Sequence, residues 1–374
     1  MIGASIAFEL TSEKLSVAVL DRQQPGNEAS WAAAGMLSPA PHSPRDIPLV
    51  PLSKESARIY PNFIERIEQA SGQPTGFARK AAFQIFMTPH GETERNRAVA
   101  ECNELGIALD AVTPETARAE EDSIGPAARA MARFPEEGIV DPRLLIGAVL
   151  AAARNRGVQI LTDCAVTGLL SERGRCTGVV AGGEKVFAKQ VIVAAGCFSA
   201  GIARNGELPR YAHTRPVRGQ MLALRPSGMK LRHVLRSERG YLVPRADGRI
   251  LAGSTIEEVG FEKRVTPAGM RQIIDAALEL CPRLAGAEIL ETWSGLRPGS
   301  PDDLPILGPT EVEGLMMATG HYRNGILLSA VTAKLLREWV TQGKVTLDTR
   351  AFSPMRFVDE KQQSVATTNA SATL

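Results

Sequence analysis

Three stretches of this 374-residue chain bring together residue types that can hold a nucleotide or an anion. The first is Met1-Ile2-Gly3 with Asp21, 18 residues beyond the glycine, separated by a helical pattern and then an apolar strand pattern. In a dinucleotide-binding βαβ unit, a glycine lets the backbone approach a pyrophosphate at a helix N-terminus. An acid about 20 residues onward takes the ribose hydroxyls. Gly3 and Asp21 match the last glycine and the acid of that series, and the strand and two glycines expected ahead of them are missing from this sequence. An ordinary helix-strand connection gives the same spacing, and Arg22 can face either solvent or an adenosine phosphate.

The second stretch, at 28–37, contains Ala29, Ser30, Ala34, Gly35 and Met36 among further alanines. Small residues ending in glycine let a backbone lie against a flat ring or a phosphate, and Ser30 can cap a turn or bond a phosphate oxygen. Tight helix packing explains the same run. The strand end Ala194-Ala195-Gly196 carries the same two readings. In the third stretch, Gly320-His321-Tyr322-Arg323-Asn324-Gly325-Ile326-Leu327 runs from a strand through a glycine-bounded turn into a helix. A helix N-terminus there offers free N–H groups and partial positive charge to an anionic ligand edge. His321 and Arg323, in a turn between glycines, read as more than core filler, but a lone histidine is not assigned catalysis. No His-carboxylate dyad is evident.

These residues need a scaffold. A helix at 4–12 and a buried strand at 15–20 form the second half of a βαβ unit. Helical patterns follow at 53–70 and 91–105, with a strand at 82–88 between them. Asp141-Pro142 opens a helix, because proline in the first turn gives up an N–H that would have no partner. Strand-like runs follow at 158–161, 177–181 and 186–195, the last suited to the middle of a parallel sheet. From 214 to 256 the pattern turns antiparallel, with runs at 217–224, 233–236, 241–245 and 249–255. A helix at 267–280, a strand at 287–293, a loop containing Arg297 and a strand-turn-helix at 315–339 complete the order. Two interleaved, discontinuous domains are expected: 1–50, 138–213 and 287–345 for the nucleotide, and 51–137 with 214–286 for the substrate. Residues 346–374 form a C-terminal extension, expected to lack order from about 360.

Composition narrows the function class. Lys plus Arg number 43 against 41 Asp plus Glu, a net charge of +2 that is too small for a nucleic-acid partner or an anionic membrane. Five cysteines without a C-x-x-C pair argue against a disulfide framework and a zinc site, so no metal is expected and a reducing cytoplasm fits. No apolar run reaches the ~20 residues of a spanning helix, and no signal peptide is evident.

Together the motifs resemble the glycine/D-amino-acid oxidase family of flavoproteins. The matching pieces are M-I-G-A with Asp21, S-W-A-A-A-G-M-L from Ser30, A-A-G ending at Gly196, G-L-R-P at 295–298, D-L-P-I-L-G from Asp303, and G-H-Y-R-N-G-I-L-L from Gly320. The resemblance covers nearly the whole chain up to about 350. It implies an α/β fold: a Rossmann-like FAD-binding domain, here without its first strand, interleaved with an α+β substrate domain carrying a mainly antiparallel sheet. It also implies non-covalent FAD, with Asp21 on the adenosine ribose, Ser30 at the pyrophosphate and Ala34 to Met36 near the isoalloxazine. Val166 is placed by the adenine, and the turn 321–327 at the flavin's pyrimidine edge.

Arg297 matches the family's carboxylate-binding arginine, a role suited to a bidentate guanidinium that fixes both position and angle. Tyr241 matches the hydroxyl that closes over the same carboxylate. Arg323 lines the site, and Ile256 limits substituent size. No protein residue is expected to act catalytically, because flavin N5 carries the chemistry.

The implied reaction is oxidative deamination of glycine, and of small amines such as sarcosine or D-alanine, to glyoxylate or a 2-oxo acid, ammonia and H2O2. The implied use is thiamine thiazole synthesis, and the expected partners are an amino-acid substrate and O2, with a homotetramer suggested by resemblance. The alternatives are a sarcosine oxidase, a D-amino-acid dehydrogenase passing electrons to quinone, or a truncated, flavin-free binding protein.

Overall fold

The computed structural model describes residues 1–204 and 213–357. A parallel layer is built from two pieces. Ala18–Leu20 pairs in parallel with Gln159–Leu161, while Val191–Val193 pairs in parallel with Leu315–Thr319, which also pairs antiparallel with Ile306–Pro309. Helices Ile2–Leu10, Val50–Ser71, Pro142–Asn155 and Ser329–Gln342 pack together against these strands.

The helix Pro142–Asn155 shows why such elements form where they do. The Asp141 side chain accepts from the N–H groups of Arg143 and Leu144, Pro142 fills the first turn, and Gly157 leaves in a left-handed conformation at φ +88°. Its apolar stripe, including Leu145, Ala148, Val149 and Ala152, is buried against Phe8, Ile64 and Ile67.

The second layer is an eight-stranded mixed sheet whose longest strands are Arg215–Arg225 and Glu288–Gly299. Its strands alternate between two buried faces. Leu222, Leu224, Leu235 and Leu242 pack under the helix Pro267–Leu280, whereas Met221, Ala223, Val234 and Val243 belong to the opposite core with Ala32, Ala34 and Trp293. This period of two places every second residue of the sheet beside the segment 28–37.

The fold class agrees with expectation, and several local readings are corrected. The apolar run 186–195 is not one central strand. Glu184–Phe187 forms an antiparallel ribbon with Arg175–Ala181, and only Val191–Val193 enters the parallel layer. The polar pair Lys189-Gln190 lies between the two strands. Arg297 lies inside a twelve-residue strand rather than in a loop, opposite Val217 in the antiparallel register. Strand Val166–Glu172, whose alternation is weak, was not anticipated as a strand. The C-terminal segment expected to lack order lies outside the described residues. Among the described residues, no helix is long and apolar enough to cross a membrane.

Candidate active site

A cavity of about 2060 Å³ runs between the parallel layer and the eight-stranded sheet. Pockets for one small molecule typically span ~300–1,000 Å³, so this cavity has room for an extended cofactor and a substrate together. It also extends between the two pieces of the parallel layer, where Val17 to Leu20 face it from one side and Val191 to Val193 from the other.

The residues expected to meet a nucleotide converge on this cavity. Met1, Ile2, Gly3, Asp21, Ser30 and Val166 all line it. A Cβ on Gly3 would stand 3.3 Å from the Ala194 Cβ, so the helix start and the strand end approach as closely as a glycine allows. The Asp21 carboxylate accepts the Gln23 N–H at 3.1 Å, has no salt-bridge partner among the described residues, and is shifted to a raised pKa by burial. The Ser30 hydroxyl accepts from the Met1 amino group at 3.1 Å.

Ala29, Ala34, Gly35, Met36 and Gly196 line the same space. Gly35 adopts φ +74°, and a Cβ there would fall 2.0 Å from the Val140 carbonyl oxygen. Asn324, Gly325 and Ile326 also border the cavity. The N–H groups of Gly325, Ile326 and Leu327 have no hydrogen-bond partner among the described residues, since regular helix begins only at Ser329. An unpaired half-buried carboxylate, a glycine cradle and a row of free N–H groups fit an adenosine and an anionic ring edge, the chemistry of FAD.

Three residues expected on this side have partners within the protein. Arg22 borders the cavity, stacks over the Phe198 ring at 3.4 Å and pairs with Glu28 at 2.5 Å. His321 is buried, with Nε2 3.0 Å from the Thr332 hydroxyl, and burial, reinforced by the nearby amino terminus, lowers its pKa to about 3. It is neutral, and it borders the cavity as expected. The Leu327 side chain is buried in the core away from the cavity, and its carbonyl accepts the Ser56 hydroxyl at 2.6 Å.

The four residues expected to meet substrate, Arg297, Tyr241, Arg323 and Ile256, also border the cavity. Arg297 Nη1 donates to the carbonyls of Thr255 at 3.1 Å and Arg218 at 3.3 Å, and Nη2 donates to the Ser254 hydroxyl at 2.7 Å. It has no carboxylate partner among the described residues. Burial pushes its pKa down, but a guanidinium remains charged.

The guanidinium has space only because Gly219 lies on the adjacent strand, where a Cβ would come within 2.2 Å of Nη2. Tyr241 is half-buried, its hydroxyl 3.3 Å from Met221 Sδ. Ile256, 54 % exposed, is held between Thr255 and Glu257. Arg218 and Glu257 exchange two backbone hydrogen bonds, and their side chains pair at 2.8 Å.

Gly219, His42 and a network that holds Ser38, on the His42 loop, lie outside the sequence expectations. In that network Glu137 accepts the Ser38 hydroxyl at 2.5 Å and the Arg236 guanidinium at 2.8 Å, while Arg236 Nε donates to Gln84 at 3.1 Å. These partners are dispersed along the chain and carry no local motif.

Comparison with known proteins agrees with this geometry. Residues 1–339 match the family model DAO, described as FAD dependent oxidoreductase. Glycine oxidase of Pseudomonas putida is 30% identical over 362 residues, covering 95% of this chain and 96% of that protein. Bifunctional protein ThiO/ThiG of Synechocystis is 35% identical over 96% of this chain, which spans only 53% of that longer protein. The crystal structure of glycine oxidase from Geobacillus kaustophilus superposes with a TM-score of 0.88 at 29% identity, covering 95% of this chain and 96% of that one.

Proposed function

Because the chain belongs to the FAD-dependent oxidoreductase family, we propose that it oxidises a small amino acid at the cavity bordered by Arg297 and Tyr241, with glycine as the reference substrate. The observation that carries this reading is the half-buried Arg297 guanidinium, facing the cavity, held by two carbonyls and a hydroxyl and lacking any carboxylate among the described residues. A buried cation without an anion is costly unless a ligand supplies one.

FAD would be held by Gly3, Asp21, Ser30, Gly35, Val166 and the free N–H groups of residues 325–327, and it supplies a hydride acceptor when bound. Arg297 and Tyr241 fix the substrate carboxylate, which orients the Cα–H, and Ile256 bounds the substituent. The substrate amine gives up its proton to water, so no side chain is required as a general base. The products are a 2-oxo acid, glyoxylate from glycine, with ammonia and hydrogen peroxide. Likeness to the Synechocystis ThiO/ThiG protein supports a use in thiamine thiazole formation.

Purified flavin-loaded protein is tested with glycine, sarcosine and D-alanine, following flavin bleaching without oxygen and peroxide release with it. Peroxide from any of these amines is expected. Bleaching without peroxide would move the reading to a dehydrogenase, and no bleaching by any amine would overturn it.

A further inference from the structure

Two guanidiniums on the substrate side of the cavity lack a carboxylate partner among the described residues. One is Arg297. The other is Arg323, which is exposed to the cavity, forms no hydrogen bond or ion pair there, and has only the Tyr322 ring beside it at 5.2 Å. The other arginines of this wall are occupied: Arg236 by Glu137 and Gln84, and Arg239 by Glu279 at 2.7 Å. Glu238, between them in sequence, lies in an exposed turn.

Arg323 stands close to Arg297, because the Tyr322 N–H donates to the Pro298 carbonyl at 3.0 Å. Each arginine therefore feels the other's charge, and the Arg297 pKa is lowered partly by it. A single carboxylate leaves one of these two positive charges uncompensated.

His42 borders the same cavity, on the loop that follows Met36–Leu37. The loop is pinned at both ends. Ser38 donates to Glu137 at 2.5 Å, and the N–H groups of His42 and Ser43 donate to the Asp46 carboxylate at 3.0 and 2.9 Å. The imidazole is exposed at the cavity, where the charges of Arg236 and Arg323 act on it. The protein walls around it first, and then those two cations, lower its pKa to about 4, so it is neutral at neutral pH. A neutral imidazole beside a free guanidinium adds a polar contact without a competing negative charge.

We propose that Arg323 and His42 form a second anion subsite beside Arg297, so that the preferred substrate is an amino acid with two acidic groups rather than glycine. The inference rests on the amine-oxidation reading for the placement of the first carboxylate at Arg297. The second acid can stand on the nitrogen, as in iminodiacetate, or on Cα, as in D-aspartate. Both present the same carboxylate to the subsite, and substrate pairs separate them.

The test compares kcat/KM of the flavin-loaded enzyme for iminodiacetate against sarcosine, and for D-aspartate against D-alanine. At least one diacid is expected to exceed its monoacid tenfold or more, and which pair responds tells where the second acid sits. His42→Glu, which places a negative charge beside Arg323, lowers that ratio by tenfold or more, and Arg323→Met brings it near one. Ratios at or below one in both pairs overturn the proposal. So do variants that lower monoacid and diacid by the same factor, since Arg323 would then share the single carboxylate held by Arg297.

If no amine bleaches the flavin, the amine-oxidation reading fails separately. The subsite is then read by titrating flavin absorbance with malonate and acetate. Malonate binding at least tenfold tighter, with the difference lost in His42→Glu, supports it, and equal binding overturns it.

Discussion

The Tyr322 N–H donates to the carbonyl of Pro298 at 3.0 Å, fastening the turn that carries Arg323 to the strand that carries Arg297. Tyr322 adopts a left-handed conformation at φ +47°, uncommon for a bulky residue, and that bend directs its N–H across to the strand. Two segments of opposite character, one from the parallel layer and one from the antiparallel sheet, thus meet at the arginines.

Arg297→Ala removes the charge proposed to hold the substrate carboxylate. Charge-assisted hydrogen bonds contribute about 1.5–3 kcal/mol, and one unit of 1.36 kcal/mol is tenfold in rate, so kcat/KM for the amino acid falls by roughly 10- to 150-fold, with most of the change in KM. Arg297→Lys recovers only part of it, because a point charge cannot match the planar fork. Steady-state kinetics on flavin-loaded protein decide, and a KM equal to wild type would remove Arg297 from the site.

Asp21→Asn tests the nucleotide side. An ionised carboxylate accepts the ribose hydroxyls, whereas a protonated one accepts less well, and burial raises the Asp21 pKa from its ordinary value. Flavin affinity in the wild type therefore weakens as pH falls, beginning above the usual carboxylate range. The asparagine variant binds FAD about 10- to 100-fold more weakly at neutral pH and loses this acid dependence. Flavin fluorescence released on dilution at several pH values measures both, and an unchanged affinity would place the ribose elsewhere.

Gly219→Ala probes the space beneath Arg297. The added Cβ would come within 2.2 Å of the guanidinium nitrogen, forcing the arginine away from the Ser254 hydroxyl and the Thr255 carbonyl. The strand itself tolerates alanine, since φ at Gly219 is not in the left-handed region. The variant is expected to fold with a melting temperature close to wild type and to raise KM at least tenfold. A normal KM would mean that the guanidinium has another place to stand.

The fold, and the gathering of the glycine, Asp21 and turn segments on one cavity, were legible because their signals are local. Asp141-Pro142, the strand run at 217–224 and the glycine-bounded turn at 320–325 each declare themselves within about ten residues. The boundary errors arose where tertiary pairing decides. Residues 186–195 were read as one strand although Lys189 and Gln190 interrupt them, and they serve two sheets because Arg175–Ala181 captures the first part and Leu315–Thr319 the second. Arg297 read as a loop residue between glycine and proline, but the partner strand Arg215–Arg225 extends the ladder through it. The substrate wall was least legible, since Glu137 lies 99 residues from both Ser38 and Arg236, and a buried ion pair of that kind has no sequence pattern.

His321 gives a prediction for stability against pH. Its folded pKa is lowered to about 3, chiefly by burial, whereas an unfolded histidine titrates near ~6.5. As pH falls below 6.5 the unfolded chain takes up a proton that the folded site refuses. Stability is therefore lost progressively from about 6.5 toward 3 and is unaffected by this group above 6.5. The slope contributed approaches at most about 1.4 kcal/mol per pH unit. His321→Gln disturbs the contact with Thr332, so the variant is less stable than wild type at pH 7.5, but the gap narrows as pH falls to 5 because the glutamine does not titrate. Urea unfolding of both proteins at pH 7.5, 6.5, 5.8 and 5.0 measures the difference, and parallel pH profiles would show that His321 is not held neutral.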